Sequence, residues 1–185
     1  MVRKAYFDTE FIQYDLRRLG GIKVPVTELI SIGIVDDTGR TYMAVSSEFN
    51  YAAARRNEWV AENVLAKLPP QSTWKSRKQI REEICAYLAE HPTRMHYYLI
   101  PNDAVLLDQL VCERFDDLPK GLLRPYINLG QEWHNISRPD IFPPKENEHD
   151  VLCDARWAQA LDVAIDQFKA QRQRTLPKPS APSER

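Results

Sequence analysis

The chain has 185 residues, 43% of them hydrophobic, and a formal net charge of −1. This length fits one domain with a sizeable core, and the near-neutral charge excludes a general polyanion binder, so any contact with nucleic acid would need a local patch or bound metal. Cys85, Cys112 and Cys153 are too widely spaced for a disulfide framework, which suits a reducing cytoplasm. The N-terminus lacks the apolar run of a signal peptide and no segment is long enough to span a membrane, so we expect a cytoplasmic protein.

The first predicted strand, Ala5 to Ile12, places two acids side by side. It reads Ala-Tyr-Phe-Asp-Thr-Glu-Phe-Ile and is rich in residues that favour strands. Because alternate residues of a strand point to the same face, Asp8 and Glu10 project together while Thr9 points to the other face. Adjacent carboxylates repel, and a folded domain tolerates them mainly where a cation or a shared proton offsets the charge. Alone the motif is weak, because an Asp-x-Glu on a solvated strand face is common.

The next segments complete an antiparallel meander and then change period. Residues Gln13 to Val26 include two glycines and a proline and predict a loop, whose basic residues could touch phosphates beside the acids. Strands are predicted at 28–35 and 40–46, with hairpin-turn residues between them. Apolar residues at helical spacing predict a helix over 57–68, and Ser76 is predicted to be the N-cap of a second helix.

The second half alternates strands and helices. Strands are predicted at 95–100 and 124–129, and Asp103 lies where the first of them leads into a helix, which on local grounds makes it a helix cap. A polar loop over 137–148 precedes a long helix. From Arg172 onward the composition is that of a disordered tail, so we expect a folded domain over 1–171 and a tail over 172–185. The element order predicts an α/β fold with helices packed on a mixed sheet.

Four carboxylates and one histidine lie at the ends of these elements: Asp8, Glu10, Asp103, His149 and Asp154. Five positions turn a helix by about 140°, so His149 and Asp154 can converge only if His149 lies on the preceding loop. Oxygen ligands select hard cations such as Mg²⁺ or Mn²⁺, and two such ions balance four carboxylates. The set therefore suits two-metal phosphoryl chemistry with a histidine as general base.

The ordered motifs resemble those of the DEDDh 3′–5′ exonuclease superfamily, which includes ribonuclease T, oligoribonuclease and the proofreading subunit of bacterial DNA polymerase III. The residues that carry the resemblance are Phe7-Asp8-Thr9-Glu10, a central Asp103 and His149-x-x-x-x-Asp154. The chain is still more similar to the small mycobacterial-type exoribonucleases described as polyadenylate-specific. That similarity covers most of the chain up to Phe168 and includes Glu-Leu-Ile-Ser-Ile-Gly after the first strand.

The resemblance implies a ribonuclease-H-like fold, with three antiparallel strands followed by two parallel ones in a five-stranded sheet flanked by helices. It implies two divalent ions, Mg²⁺ or Mn²⁺, held by Asp8, Glu10, Asp103 and Asp154, with His149 as general base. The implied activity is metal-dependent 3′–5′ hydrolysis of single-stranded RNA to nucleoside 5′-monophosphates. The resemblance to the polyadenylate-specific group also implies a preference for poly(A). The relatives also imply a homodimer.

Thr9, Phe11 and Trp59 are the candidate substrate-binding residues, the two aromatic ones by stacking on bases. Three departures from the family pattern bear on substrate choice rather than on the chemistry. The predicted loop from Gln13 to Val26 is longer than in the mycobacterial type, Ile-Pro-Asn precedes Asp103 where small and aromatic residues are expected, and Val151 replaces an alanine.

Three alternatives to an exoribonuclease stay open at this point. One is a 3′–5′ DNA exonuclease, because RNA preference needs a contact to the 2′-hydroxyl that the sequence does not show. Another is a non-catalytic protein that binds RNA 3′ ends or nucleotides, although pure binding needs no general base. The third is a structural Ca²⁺ site, which the lack of a compact EF-hand loop disfavours.

Overall fold

A computed structural model describes residues 1–17, 21–112, 114 and 117–175. Its strands are β1 (Arg3–Arg17), β2 (Lys23–Asp36), β3 (Thr41–Val45), β4 (Thr93–Tyr97) and β5 (Leu122–Asn128). They form a five-stranded sheet in the order β3-β2-β1-β4-β5. The pairs β1–β2 and β2–β3 are antiparallel, and the pairs β1–β4 and β4–β5 are parallel. The predicted ribonuclease-H-like sheet, three antiparallel strands followed by two parallel ones, is therefore confirmed.

Helices cover both faces of this sheet. They are α1 (Tyr51–Arg56), α2 (Glu58–Asn63), α3 (Arg77–Ala89), α4 (Pro101–Val111), α5 (Leu129–Asn135) and α6 (Val151–Thr175). The side chains of β1 alternate between the two faces, as the strand period requires. Phe7 packs in a core with α3 and α4, whereas Tyr6 packs in a second core with α5 and α6.

The prediction of a loop from Gln13 to Val26 is wrong. β1 and β2 instead continue as one long hairpin, whose outermost described pair is Arg17 and Lys23. Residues 18–20, the centre of the predicted loop, lie outside the described residues.

Burial on the far side of the hairpin explains this error. Ile12 is buried and Tyr14 partly buried in a third core with α1 and α2, and the hydroxyl of Tyr14 donates a hydrogen bond of 2.8 Å to Glu28. Glycine and proline between the strands indicated a loop locally, but strand pairing and packing outweigh local preference here. The hairpin therefore extends the sheet past the two acids.

Smaller differences concern the helices. The helix predicted over 57–68 is shorter, because α2 ends at Asn63 and a 3-10 turn follows over Leu65–Lys67. Its start agrees with the prediction, since the side chain of Asn57 caps α2 and accepts a hydrogen bond of 3.1 Å from the backbone N–H of Val60. Neither α1 nor α5 was predicted. Ser76 caps α3 as expected and accepts from the backbone of Gln79 at 3.2 Å. One strand also differs from its prediction, because β4 ends at Tyr97 rather than at residue 100.

The last helix passes the predicted domain boundary. α6 continues to Thr175, so the first residues assigned to a tail are helical. The remainder of that tail, 176–185, lies outside the described residues and its disorder stays a prediction. In the part of the chain that the structure describes, no helix combines the length and the apolarity that a membrane span requires.

Candidate active site

The site lies beside β1, beyond the point where its pairing with β4 ends. β1 pairs with β4 only from Arg3 to Tyr6, so its edge beyond Tyr6 borders a crevice at the carboxyl end of β4. A cavity of about 270 Å³ fills that crevice. Clefts at such strand ends are common ligand sites in open α/β sheets.

Every sequence-predicted site residue lines this cavity. The metal and catalytic candidates in it are Asp8, Glu10, Asp103, His149 and Asp154. The substrate candidates Thr9, Phe11 and Trp59 line it as well. The cavity also has four lining residues that the sequence did not predict, namely Tyr98, Leu99, Ile100 and Lys145.

His149 and Asp154 meet Glu10 across the crevice. His149 lies on the loop before α6 with φ 64°, and its backbone N–H donates to Asp154 Oδ2 at 2.9 Å. His149 Nδ1 lies 3.4 Å from Glu10 Oε1. One candidate ligand atom from each of these three residues lies within 4.8 Å of the others. The condition for convergence, a histidine on the loop and an acid in the first helical turn, is thus met.

Asp103 is not the cap of its helix. It lies in the first turn of α4, while Ile100 holds the cap position without a side-chain hydrogen bond. The Asp103 carboxylate instead accepts a hydrogen bond of 2.5 Å from the hydroxyl of Thr9. Both residues are buried. Thr9 therefore holds an acid in place, which the sequence did not indicate.

The acids destabilise one another in their charged forms. Burial, and next the charge of Asp103, raise the pKa of Asp8 well above its usual range. Burial, and next the charge of Asp154, raise the pKa of Glu10 to about 7. Burial also raises the pKa of Asp103 to about 6, against the opposing hydrogen bond from Thr9. Such a cluster gains stability when a cation offsets its charge.

Lys145 brings a positive charge to this cluster. Its Nζ lies 3.0 Å from Asp154 Oδ1 and 5.3 Å from the centre of the Trp157 ring. The indole N–H of Trp157 donates to the backbone oxygen of Pro143 at 2.9 Å, which ties the loop that carries Lys145 to α6. The prolines of this loop predicted only that it lacks regular structure, so sequence offered no signal for this lysine.

Gly33 of β2 sets how closely α6 approaches the acids. It is the cross-strand partner of Asp8, and a Cβ atom there would lie 2.4 Å from the backbone oxygen of Val151. The first turn of α6, which holds Asp154, therefore rests on bare backbone beside Asp8. Any larger residue at position 33 would clash with the backbone of Val151 and Leu152 at the start of α6.

The donor set fits a hard divalent cation. The carboxylates of Asp8, Glu10, Asp103 and Asp154 offer oxygen ligands, which Mg²⁺ and Mn²⁺ prefer. The raised pKa values of Asp8, Glu10 and Asp103 indicate that the fold holds these negative charges together at a cost. Lys145 offsets only part of that charge, and it does so from one side of Asp154.

Comparison with known sequences gives one group of relatives. Two curated proteins, described as 3′–5′ exoribonucleases from two strains of Mycobacterium tuberculosis, are each 36% identical to this chain over 158 residues. The matched region covers 83% of this chain and 87% of each relative. No protein-family model matches the chain.

Comparison with solved structures agrees at the level of the fold. A structure of exonuclease I matches with a TM-score of 0.55 and covers 93% of this chain at 11% sequence identity. The match spans 44% of exonuclease I, so this chain corresponds to less than half of that protein. At such low identity the likeness concerns the fold alone.

Proposed function

The chain belongs to the DEDDh-type 3′–5′ exonuclease family, and we propose that it is an exoribonuclease that shortens single-stranded RNA from the 3′ end with two divalent ions, Mg²⁺ or Mn²⁺. Its products would be nucleoside 5′-monophosphates. One observation carries the proposal: Asp8, Glu10, Asp103, His149 and Asp154 line a single cavity. The exoribonuclease activity of the relatives supports RNA as the substrate.

In this proposal the four carboxylates would hold the ions beside the β1 edge. The bound ions would supply charge stabilisation for the attacking and leaving oxygens of the phosphodiester. Thr9 fixes Asp103 in the orientation that binding needs, since its hydroxyl donates to that carboxylate at 2.5 Å. The backbone N–H of His149 orients Asp154 in the same way.

His149 acts as the general base. Its side chain is 28% exposed, whereas that of Asp154 is 7% exposed, so the imidazole can reach a water molecule that enters from solvent. Glu10 lies 3.4 Å from Nδ1 and stabilises the imidazolium that forms. The other ring nitrogen is then the one that takes the proton from the attacking water.

Two aromatic residues are proposed to bind bases. Trp59 is 53% exposed and its ring lies 4.7 Å from that of His149, edge to face. Phe11 is partly buried against the core beneath α4 but also lines the cavity. Stacking on such rings contributes about 1–3 kcal/mol per base and tolerates any base.

Cleavage of matched substrates tests the proposal. RNA and DNA of the same sequence, labelled at the 5′ end, are incubated with Mn²⁺ or with a chelator. We expect a ladder of shortened RNA with Mn²⁺, none with chelator, and slower loss of DNA. Faster loss of DNA than of RNA would favour a DNA exonuclease, and binding without cleavage would favour a non-catalytic 3′-end protein. Oligomers of A and of U, compared at equal length, test the preference for poly(A).

We also propose a homodimer, on the resemblance alone. Analytical ultracentrifugation tests it directly. A species at twice the chain mass supports the dimer, and a single species of 21.5 kDa contradicts it.

A further inference from the structure

Leu99 has an unusual conformation for a leucine. It lies between β4 and α4, lines the cavity and is 55% exposed. Its φ angle is 64°, in the left-handed region that a side chain with a Cβ atom disfavours. Exposed apolar surface and a strained backbone thus coincide at one residue beside the acids.

Asn128 holds Leu99 in this conformation. Its side-chain oxygen accepts a hydrogen bond of 3.2 Å from the backbone N–H of Leu99, and its amide nitrogen donates to the backbone oxygen of Leu99 at 3.4 Å. The same nitrogen donates to the hydroxyl of Tyr97 at 3.3 Å. One amide therefore bonds both backbone groups of the strained residue.

Gly130 has no side chain, and this leaves space for Leu99. A Cβ atom on Gly130 would lie 2.9 Å from Leu99 Cδ1 and 3.3 Å from Leu99 Cα. The start of α5 thus accommodates the leucine from behind, as Asn128 does from the side. Two neighbouring positions fit a conformation that Leu99 would not adopt by itself.

Packing does not explain this arrangement. A buried leucine would repay backbone strain through the burial of apolar surface, but more than half of Leu99 is exposed. Ile100 at 47% and Trp59 at 53% exposure extend the apolar surface around the cavity. Strain that the surroundings enforce without a packing gain is typical of ligand-binding positions.

We propose that Leu99 is a substrate-contact residue that packs against the nucleoside at the 3′ end of the nucleic acid. Asn128 is then a positioning residue that acts through Leu99. The inference rests on the proposed function and adds a contact to it. Because the contact is aliphatic and carries no hydrogen-bonding group, it accepts any base and orients the terminal nucleotide rather than selecting it.

Steady-state kinetics on a single-stranded RNA oligonucleotide test the contact. For Leu99→Gly we expect KM to rise about tenfold, the effect of losing part of a leucine burial, with kcat changed less than threefold. Leu99→Met keeps an apolar side chain and should stay near wild type. Val163→Ala, at a 50% exposed residue of α6 outside the cavity lining, is the control and should change neither constant.

Melting temperature separates this role from a structural one. Glycine adopts a positive φ without strain, so Leu99→Gly should melt no lower than wild type although it binds substrate less well. Asn128 also caps α5, its side-chain oxygen accepting a hydrogen bond of 3.2 Å from the backbone N–H of Gln131, so Asn128→Ala should melt lower than wild type. It should still raise KM as Leu99→Gly does, and the double variant should show no further rise in KM, because Asn128 reaches the substrate through Leu99. Additive increases in KM would assign Asn128 to a separate role.

An unchanged KM in Leu99→Gly overturns the inference, whatever its melting temperature. Failure of the proposed function gives a different result, since the wild type itself would then leave RNA intact. In that case no cleavage interferes, and the affinity for a fluorescent oligonucleotide, measured by anisotropy with Mn²⁺, replaces KM. Equal affinities of wild type and Leu99→Gly would then overturn the contact.

Discussion

Asp8 is the acid whose charge conflicts most with its surroundings. Burial, Asp103 and Asp154 together raise its pKa well above the usual range. We expect Asp8→Asn to abolish cleavage and, with chelator, to unfold at a higher temperature than wild type, because like-charge repulsion is relieved. Calorimetry of both proteins measures this. Asp15→Asn, at a half-exposed surface residue paired with Lys23, should change neither property. A lower melting temperature for Asp8→Asn would contradict the account.

The role of His149, general base or metal ligand, can be decided with one variant. Its ring nitrogen is close enough to Glu10 and Asp154 to share an ion with them, so the assignment as base needs a direct measurement. We expect His149→Ala to lose about 10²–10⁴-fold in kcat and to bind metal as tightly as wild type by isothermal titration. His134→Ala, whose ring bonds Arg138 outside the cavity, serves as control. One ion fewer in the His149 variant would make it a ligand.

At the scale of elements, the sequence predicted the strand that carries the acids and missed what surrounds it. The period of two along β1 predicted Asp8 and Glu10 on one face. The strand-to-helix junction predicted Asp103 near the start of α4, but as a cap rather than in the first turn. Lys145 and Leu99 gave no local signal. Their positions depend on a loop tied down by Trp157 and on the start of α5, which are tertiary contacts between distant segments.

The long hairpin shows the opposite kind of error, because here a local sequence signal was present but predicted the wrong structure. Local chemistry over 13–26 favoured a loop, yet burial of Ile12 and Tyr14 against α1 and α2 extends the strands. Short-range rules therefore succeed where the pattern is periodic and fail where pairing outweighs it.

The contact between β2 and α6 predicts the effect of one methyl group. In Gly33→Ala the new Cβ would meet the backbone oxygen of Val151 at 2.4 Å, so the first turn of α6 must shift. A displacement of about 1 Å at a catalytic site can cost about 10²-fold in rate. We also expect the free energy of unfolding to fall by about 1–3 kcal/mol. Both are measured on the purified variant, by turnover and by urea denaturation.

Gly39→Ala separates displacement of α6 from general destabilisation. Gly39 lies in the β2–β3 turn with φ +85° and open space around it. Its alanine variant should lose stability through backbone strain but keep wild-type kcat. Full activity in Gly33→Ala would mean that the separation of Asp8 and Asp154 is not fixed by this contact.

For the whole molecule, the acids make stability depend on pH. Between the usual carboxyl pKa of 4.5 and about 7, folded Glu10 still binds a proton that the unfolded chain has released. The folded state therefore binds more protons, and the free energy of unfolding falls as pH rises. His96 acts in the opposite direction, because burial lowers its pKa from 6.5 and the unfolded chain binds more protons just below that value.

Three acids with raised pKa values outweigh one histidine, so we expect the metal-free protein to be less stable at about pH 7 than at about pH 5. Urea denaturation with chelator measures the difference, which should be on the order of a few kcal/mol. Saturating Mn²⁺ should stabilise the protein more at the higher pH, because it binds only the folded, deprotonated site. Stability that rises with pH under chelator would contradict the raised pKa values.

The contact between Trp59 and His149 makes the protein its own optical probe. The chain has four tryptophans, and the Trp59 ring lies 4.7 Å from the imidazole beside Glu10 and Asp154. Any ligand that shifts this imidazole changes the surroundings of that indole. Intrinsic fluorescence should therefore respond to Mg²⁺ and to nucleoside monophosphates without an attached dye, and Trp59→Phe should remove most of the response. Cation occupancy could then be followed in a stopped-flow instrument during a single turnover.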